Sequence, residues 1–400
     1  NSAQPPSVLV SQLRDYLSAG WGKQVVEERT THHPLQAFSR RYFEQNGTLL
    51  TYAREWRAAH GEQTQAIVAA LPAFMPDPEV PLTISALTTF LRNPVKAFFR
   101  QRLLVMFENH EEENDDEECF AVDNLDEYKL IKSLTSAATV KQSNAEAQDC
   151  ALQALARLRR AGGLPFKGFG DLKQQELQQT VTTMLRSWFD EQARFPDAAE
   201  RQSVRVQTGV VVLEDWIDQL RCGAEFVGAP AWLELEPGKL CVKDRKEPTP
   251  RLDKLPGAWI RSLAIAASGL QAHGVMVGRD SVIEIAPVSQ ETAITTLTML
   301  LELWLAGMQA PLPLPPRTAL VWLEDNHKAA ASYEGGFRIE GEGKDSYLAR
   351  VYPDFEALSE DGRFAVLSEQ VYGQLNAWAA QHVTARYHAS AEAVETGQAA

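Results

Sequence analysis

Chemistry in this 400-residue chain would first be sought at its thiols, imidazoles and clustered carboxylates. Cys119, Cys150, Cys222 and Cys241 are scattered without CxxC spacing, which disfavours a zinc site, an iron–sulfur cluster or a disulfide framework and leaves ordinary reduced thiols. His32-His33 stand before a proline, and none of the eight histidines has the i, i+4 partner with a Glu that a zinc hydrolase helix needs. Residues 108–118 carry eight carboxylates that repel one another and cannot be buried together. Hard-cation loops alternate ligands with turn glycines, and this run has none, so it reads as a solvated loop. Neither a P-loop (GxxxxGK followed by Ser or Thr) nor a GxSxG nucleophile elbow occurs.

Basic residues gather in two places. Arg92, Lys96, Arg100 and Arg102 flank a helical hairpin, and Arg157, Arg159 and Arg160 end a later helix. For the second group, a cationic last turn that complements the helix dipole is favoured over a phosphate contact. If the chain touches DNA, these seven residues are the candidates, because phosphate attraction and stacking carry single-strand binding. A net charge of −14, from 39 basic and 53 acidic residues, argues against a protein that coats nucleic acid through a global positive field. A local DNA channel stays compatible with it.

The elements that must position such residues follow from periodicity. With 44% hydrophobic residues the chain can bury a full core. No run of eighteen apolar residues and no N-terminal signal is present, so a cytoplasmic protein without membrane contact is expected. Val8, Leu9, Leu13, Tyr16 and Leu17 have helical spacing and end at Gly20-Trp21-Gly22. An aromatic stretch follows, with Phe38, Tyr42, Phe43, Tyr52 and Trp56. Pro72, Pro76, Pro78 and Pro81 mark a linker, dividing the chain into 1–78 and 79–400. Beyond it, Ser85 is the candidate cap of a short helix, Asn93-Pro94 breaks that helix, and Val95, Phe98, Phe99 and Leu103 form the apolar side of the next. Residues 145–161 read as a helix closed by Gly162-Gly163.

Sheet begins at residue 204, where Val204, Val206, Thr208, Val210 and Val212 alternate as in one half-buried strand. Further strands are expected at 240–243, 274–277 and 282–285, and helices at 259–267 and 293–307. Residues 311–316 must be extended, and 317–400 return to helix with Trp322, Tyr333, Phe337, Tyr347 and Tyr352 as anchors. The fold class is therefore α/β, a mixed sheet flanked by helices.

One stretch points to a family. Residues 82–103, with Asn93-Pro94-Val95-Lys96-Ala97-Phe98-Phe99 at their centre, are followed by Phe120-Ala121-Val122-Asp123-Asn124-Leu125. This pattern resembles the segment that opens the nuclease-like domain of RecB-type and RecC-type subunits of bacterial recombination helicase-nucleases, with the RecC type nearer. His33-Pro34-Leu35-Gln36, Leu158-Arg159-Arg160-Ala161-Gly162-Gly163-Leu164-Pro165 and Lys243-Asp244-Arg245 extend the likeness over most of residues 5–310. It implies the C-terminal third or so of a gamma subunit of exodeoxyribonuclease V, with 1–78 the tail of a preceding helicase-like region plus linker. Residues 79–400 would be a degenerate PD-(D/E)xK (restriction-endonuclease-like) domain with helical additions.

Active nucleases of that type hold Mg²⁺ with an Asp that ends one strand and an Asp/Glu-x-Lys on the next. By the resemblance, the first position falls among Glu214, Asp215 and Asp218, and the second within 240–246. Counting Lys243 as the lysine puts Cys241 at the carboxylate, a poor magnesium ligand. Counting Lys246 restores Asp244-x-Lys246 but moves it out of the apolar run. The downstream Gln-x-x-x-Tyr motif is missing from Trp259-Ile260-Arg261-Ser262-Leu263. The expectation is a non-catalytic scaffold and DNA guide in double-strand-break repair, helping split duplex DNA, steer single strands and dock the RecD subunit. RecB and RecD subunits and duplex and single-stranded DNA would be its partners. Mg²⁺ and ATP would act in other subunits, leaving this chain without metal or cofactor. The alternative is an active Mg²⁺-dependent nuclease using Asp215 or Asp218 with Asp244 and Lys246.

Overall fold

The computed structural model describes residues 6–36, 38–44, 49–52, 56–57, 71–107, 122–223, 229–242, 246–336 and 340–389. The acidic run 108–118, Cys119, Lys243, Asp244, Arg245 and Phe337 lie outside them. The chain divides into two compact units, Asn1–Pro72 and Ala73–Ala400. In the first, helices α1 (Val8–Trp21) and α2 (Lys23–Glu28) carry the anticipated apolar spacing, yet α1 buries no residue within its unit. Among the described residues, no helix of the chain is long and apolar enough to cross a membrane.

The second unit opens on extended chain and a parallel bridge in which Leu82 exchanges backbone hydrogen bonds with Val212 and Glu214. Helix α3 (Ile84–Arg92) starts at a Thr83 cap, whose hydroxyl accepts the Ala86 N–H, and not at Ser85 as the sequence suggested. The reason is tertiary: Asp215, 131 positions away, accepts the Ile84 N–H at 2.9 Å and fixes the first turn early. Asn93 caps the Lys96 N–H and Pro94 opens α4 (Pro94–Ala97), which widens into a π turn over Phe98–Arg102.

Helices α5 (Asn124–Ala138), α6 (Asn144–Arg160) and α7 (Lys167–Arg194) then form a small bundle around Ile131, Leu134, Ala151, Leu155, Leu177 and Met184. Asp123 and Ser143 cap the first two.

Residues 202–217 are not one strand with a partner in the main sheet. They are a separate hairpin, β2 (Gln202–Thr208) against β3 (Val211–Ile217), after the short β1 (Asp197–Ala198). Gly209, at φ +56°, makes the two-residue turn that ordinary side chains resist. The six-stranded sheet runs β1, β4 (Leu220–Cys222), β5 (Ala231–Leu235), β6 (His273–Val277), β7 (Ser281–Ile285) and β8 (Val383–Tyr387) in spatial order. Only β5 and β6 pair in parallel, and helix α8 (Pro256–Ala267) makes their crossover. Strand β5 replaces the strand expected at 240–243, where only Cys241 makes an isolated bridge, to Pro250. The backbone N–H groups of Leu240 and Cys241 are instead held by the Asp280 carboxylate.

The mixed sheet flanked by helices is thus present. Helix α9 (Gln290–Gln309) packs beside α8 over the main core, where Phe90, Trp259, Leu263, Leu297 and Leu300 are wholly or almost wholly buried. Each such side chain contributes about 1.5–3 kcal/mol of burial. Helices α10 (Pro316–Glu324), α11 (Ala329–Glu334), α12 (Leu348–Val351), α13 (Phe355–Ser359), α14 (Arg363–Ser368) and α15 (Gln374–His382) close one side. Tyr333 and Tyr372 anchor them, donating to the carbonyls of Tyr352 and Leu91. The described part of 317–400 also contains a strand, β8, which the aromatic anchors did not reveal.

Candidate functional site

A cleft of about 760 Å³ opens where β3 turns into β4, walled by α3, α5, β5 and the start of α8. Asp215 and Asp218 come from the first strand, Glu234 and Glu236 from β5 and its exit, Arg92 from α3, Tyr128 and Lys132 from α5, and Arg261 from α8. Asp218 lies at the kink between β3 and β4, next to Gln219 with φ +60°. The β4–β5 pairing sets Leu220 opposite Trp232, which brings the link after β3 and the exit of β5 to the same cleft.

Three of the four carboxylates are committed. Asp215 accepts the N–H groups of Ile84 and Trp216 at 2.9 and 2.8 Å. Glu234 takes the Arg261 guanidinium at 2.6 Å, and that guanidinium stacks 4.9 Å from the Trp232 ring centre. Glu236 accepts the Gly238 N–H at 3.2 Å. Burial and then the Glu236 charge push the Tyr128 phenol above its ordinary pKa. Only Asp218, exposed at the rim, keeps its oxygens open among the described residues. No three His, Cys, Asp or Glu among the described residues stand together. A magnesium centre of the kind the resemblance implied would have to draw Asp215 and Glu234 away from the donors they hold.

The helical wall is held to the sheet by a buried ion cluster. Glu127, one residue before Tyr128, receives both Arg279 terminal nitrogens at 2.8 and 2.7 Å and the Lys173 ammonium at 2.7 Å. Burial alone would raise its pKa, but the hydrogen bonds and charges of Arg279 and Lys173 outweigh that and hold the carboxyl below its usual range. Glu191, also buried, is bound by Arg194 and Arg386, joining α7 to the sheet edge.

Of the residues singled out in the sequence, Asp215 and Asp218 line the cleft together. Glu214 faces away, paired with Arg205 at 2.9 Å. Lys246 is exposed and is not part of the cleft wall, and Asp244 lies outside the described residues. Glu234, Glu236 and Arg261 were missed. Their signal was Ala231-Trp232-Leu233-Glu234-Leu235 between Pro230 and Pro237-Gly238, a strand whose two-sided burial hides any alternation. Among the basic candidates, Arg92 reaches the cleft. Arg159 is bound to Asp171 and Gln174, and Arg157 donates to the Gln153 carbonyl, which suits a structural helix end; Arg160 is exposed. Lys96, Arg100 and Arg102 lie elsewhere, around the π turn.

Fold and cleft define a mixed-sheet α/β domain with a carboxylate-lined cleft whose acids are mostly occupied by the domain's own donors. The RecC C-terminal domain model matches residues 79–327, and the chain belongs to that family. It is 27% identical to the RecBCD enzyme subunit RecC of Escherichia coli over 391 positions, covering 88% of this chain and 32% of that protein. To the RecC subunit of Haemophilus influenzae it is 34% identical over 140 positions, covering 34% of this chain and 12% of the relative. The chain thus spans about a third of the length of the longer match.

Proposed function

We propose that this chain is the non-catalytic scaffold and DNA-guiding part of a RecC-type subunit in a RecBCD-type helicase-nuclease. It would serve double-strand-break repair in the cytoplasm by helping split the duplex, steering single strands and docking RecD beside RecB. The observation that carries the reading is the state of the cleft. Asp218 in the link from β3 to β4, and Glu234-Leu235-Glu236 on β5 and its exit, line one cleft and follow the chain order of a degenerate PD-(D/E)xK site, with Glu236 where an active enzyme has lysine. An acid there adds negative charge beside the developing phosphorane charge instead of neutralising it. Asp215 and Glu234 are meanwhile engaged by a helix N-terminus and by Arg261. Nuclease and ATPase chemistry, with Mg²⁺ and ATP, then belong to partner subunits.

The test is co-expression of the full-length subunit with its RecB-type and RecD-type partners, carrying Asp218→Asn, Glu234→Gln and Glu236→Gln together. The assembled complex should form and cleave DNA within about twofold of the parent, whereas loss of a true metal ligand costs orders of magnitude. A loss of that size in a complex that still assembles would overturn the reading.

A further inference from the structure

The fold gathers a basic patch that the sequence keeps apart. Lys96 lies on α4, Arg100 on the π turn, and Arg350 on α12, some 250 positions later in the chain. Phe99, Phe107 and Tyr347 bind these elements together, with ring centres 5.4, 5.8 and 4.8 Å apart in their three pairings. The Tyr347 hydroxyl also accepts the Phe107 N–H at 3.2 Å.

On this platform the Lys96 ammonium stands 5.4 Å from the Tyr347 ring centre and the Arg350 guanidinium 4.0 Å from that of Phe107. Arg100 donates to the Met106 sulfur at 3.4 Å, beside Phe107 in the chain. Among the described residues, none of the three cations has a carboxylate in ion-pair range, in a chain that carries fourteen more acids than bases. Other basic groups of the unit, such as Arg159, Lys173, Arg194, Arg261 and Arg279, are paired with carboxylates. Stacking on rings fixes the cations' positions while leaving their N–H groups to a further acceptor.

We propose that Lys96, Arg100 and Arg350 form a phosphate-contacting patch for the DNA backbone. The rings lie beneath Lys96 and Arg350, with Tyr347 buried and Phe99 and Phe107 half-buried, so they are not a base-stacking platform. Contact is therefore with phosphates, independent of base sequence and strongly salt-dependent. The inference rests on the DNA-guiding reading and names where that contact is made.

The experiment is the salt dependence of binding of labelled single-stranded and duplex oligonucleotides to the full chain. Its readout is the slope of log affinity against log salt. Each lost phosphate contact flattens the slope by about 0.9 on duplex and about 0.7 on single strands. Lys96→Met with Arg350→Met should flatten it by about 1.8 and 1.4, and weaken binding about tenfold or more at low salt. Arg350→Lys should keep the slope, because it keeps the charge. Arg100→Met, at an exposed site, gives a single-residue check should the double variant lose its fold. A steep wild-type slope left unchanged in the variants would overturn the patch and leave the DNA-guiding reading standing. No salt-dependent DNA binding by the wild-type chain, or binding only to phosphatidylserine-rich vesicles, would overturn both.

Discussion

Replacing Glu127 by Gln tests how the helical wall of the cleft is fastened to the sheet. The carboxylate is 9% exposed, and its partners Arg279 and Lys173 are 25% and 18% exposed, so three charges share a mostly desolvated site. Removing the one anion leaves two cations facing each other. Breaking a fully buried pair costs about 3–5 kcal/mol. The residual exposure of Arg279 and the second contact of Lys173, to Glu176 at 3.3 Å, reduce this to about 2–3 kcal/mol. For a unit of this size the melting temperature should fall by about 3–4 °C. The sign with pH is fixed as well. The folded carboxyl titrates below its ordinary 4.5, so its stabilisation is present above that value and is lost as pH falls through the folded pKa. Glu127→Gln should therefore remove about one proton, roughly 1.4 kcal/mol per pH unit, from the steepness of the acid limb below 4.5. Thermal and urea melts followed by circular dichroism read both quantities, and a cycle with Arg279→Met isolates the pair. A melting temperature within a degree of wild type, or an unchanged acid limb, would refute the reasoning.

Burial holds His273 and His388 below their ordinary pKa of 6.5, so the folded state binds fewer protons than the unfolded one as pH falls past that value. Stability is then complete above 6.5 and falls as pH drops below it, by up to about 1.4 kcal/mol per unit for each ring, and His388→Asn should flatten that slope in melts taken between pH 7.5 and 5. Gly274→Ala would drive a methyl to within 2.3 Å of the Trp232 ring, on which Arg261 stacks. A loss of about 1–3 kcal/mol and a shifted tryptophan emission are expected, and an unchanged denaturation midpoint would contradict the packing. Tyr372→Phe leaves the Leu91 carbonyl without its 2.9 Å donor in a fully buried site, and should cost about 1–2 kcal/mol in the same melts.

The sequence made the local features legible and the long-range ones opaque. Asn93-Pro94 acts through neighbours three residues away, and that helix start was read from residue type; Asp123 and Ser143 cap in the same way but were not read. Thr83 displaced Ser85 because Asp215 supplies an acceptor from a distant hairpin, a contact with no local trace. The valine alternation runs through Gly209 without a break, and a uniform period hid the reversal of direction there. Asp215 and Asp218 could be read as candidates, whereas β5 is buried on both faces and shows no period 2, so Glu234 and Glu236 went unseen. Arg350 could not have been joined to Lys96 and Arg100 before the fold brought α12 onto the π turn.

The most direct test of a non-catalytic cleft is digestion of labelled single-stranded and duplex DNA by the purified chain with Mg²⁺ or Mn²⁺, beside an Asp218→Asn, Glu234→Gln variant. The account predicts no cleavage by either protein beyond the buffer control. Cleavage by the wild-type chain that disappears in the variant would contradict it and make this cleft a working nuclease site.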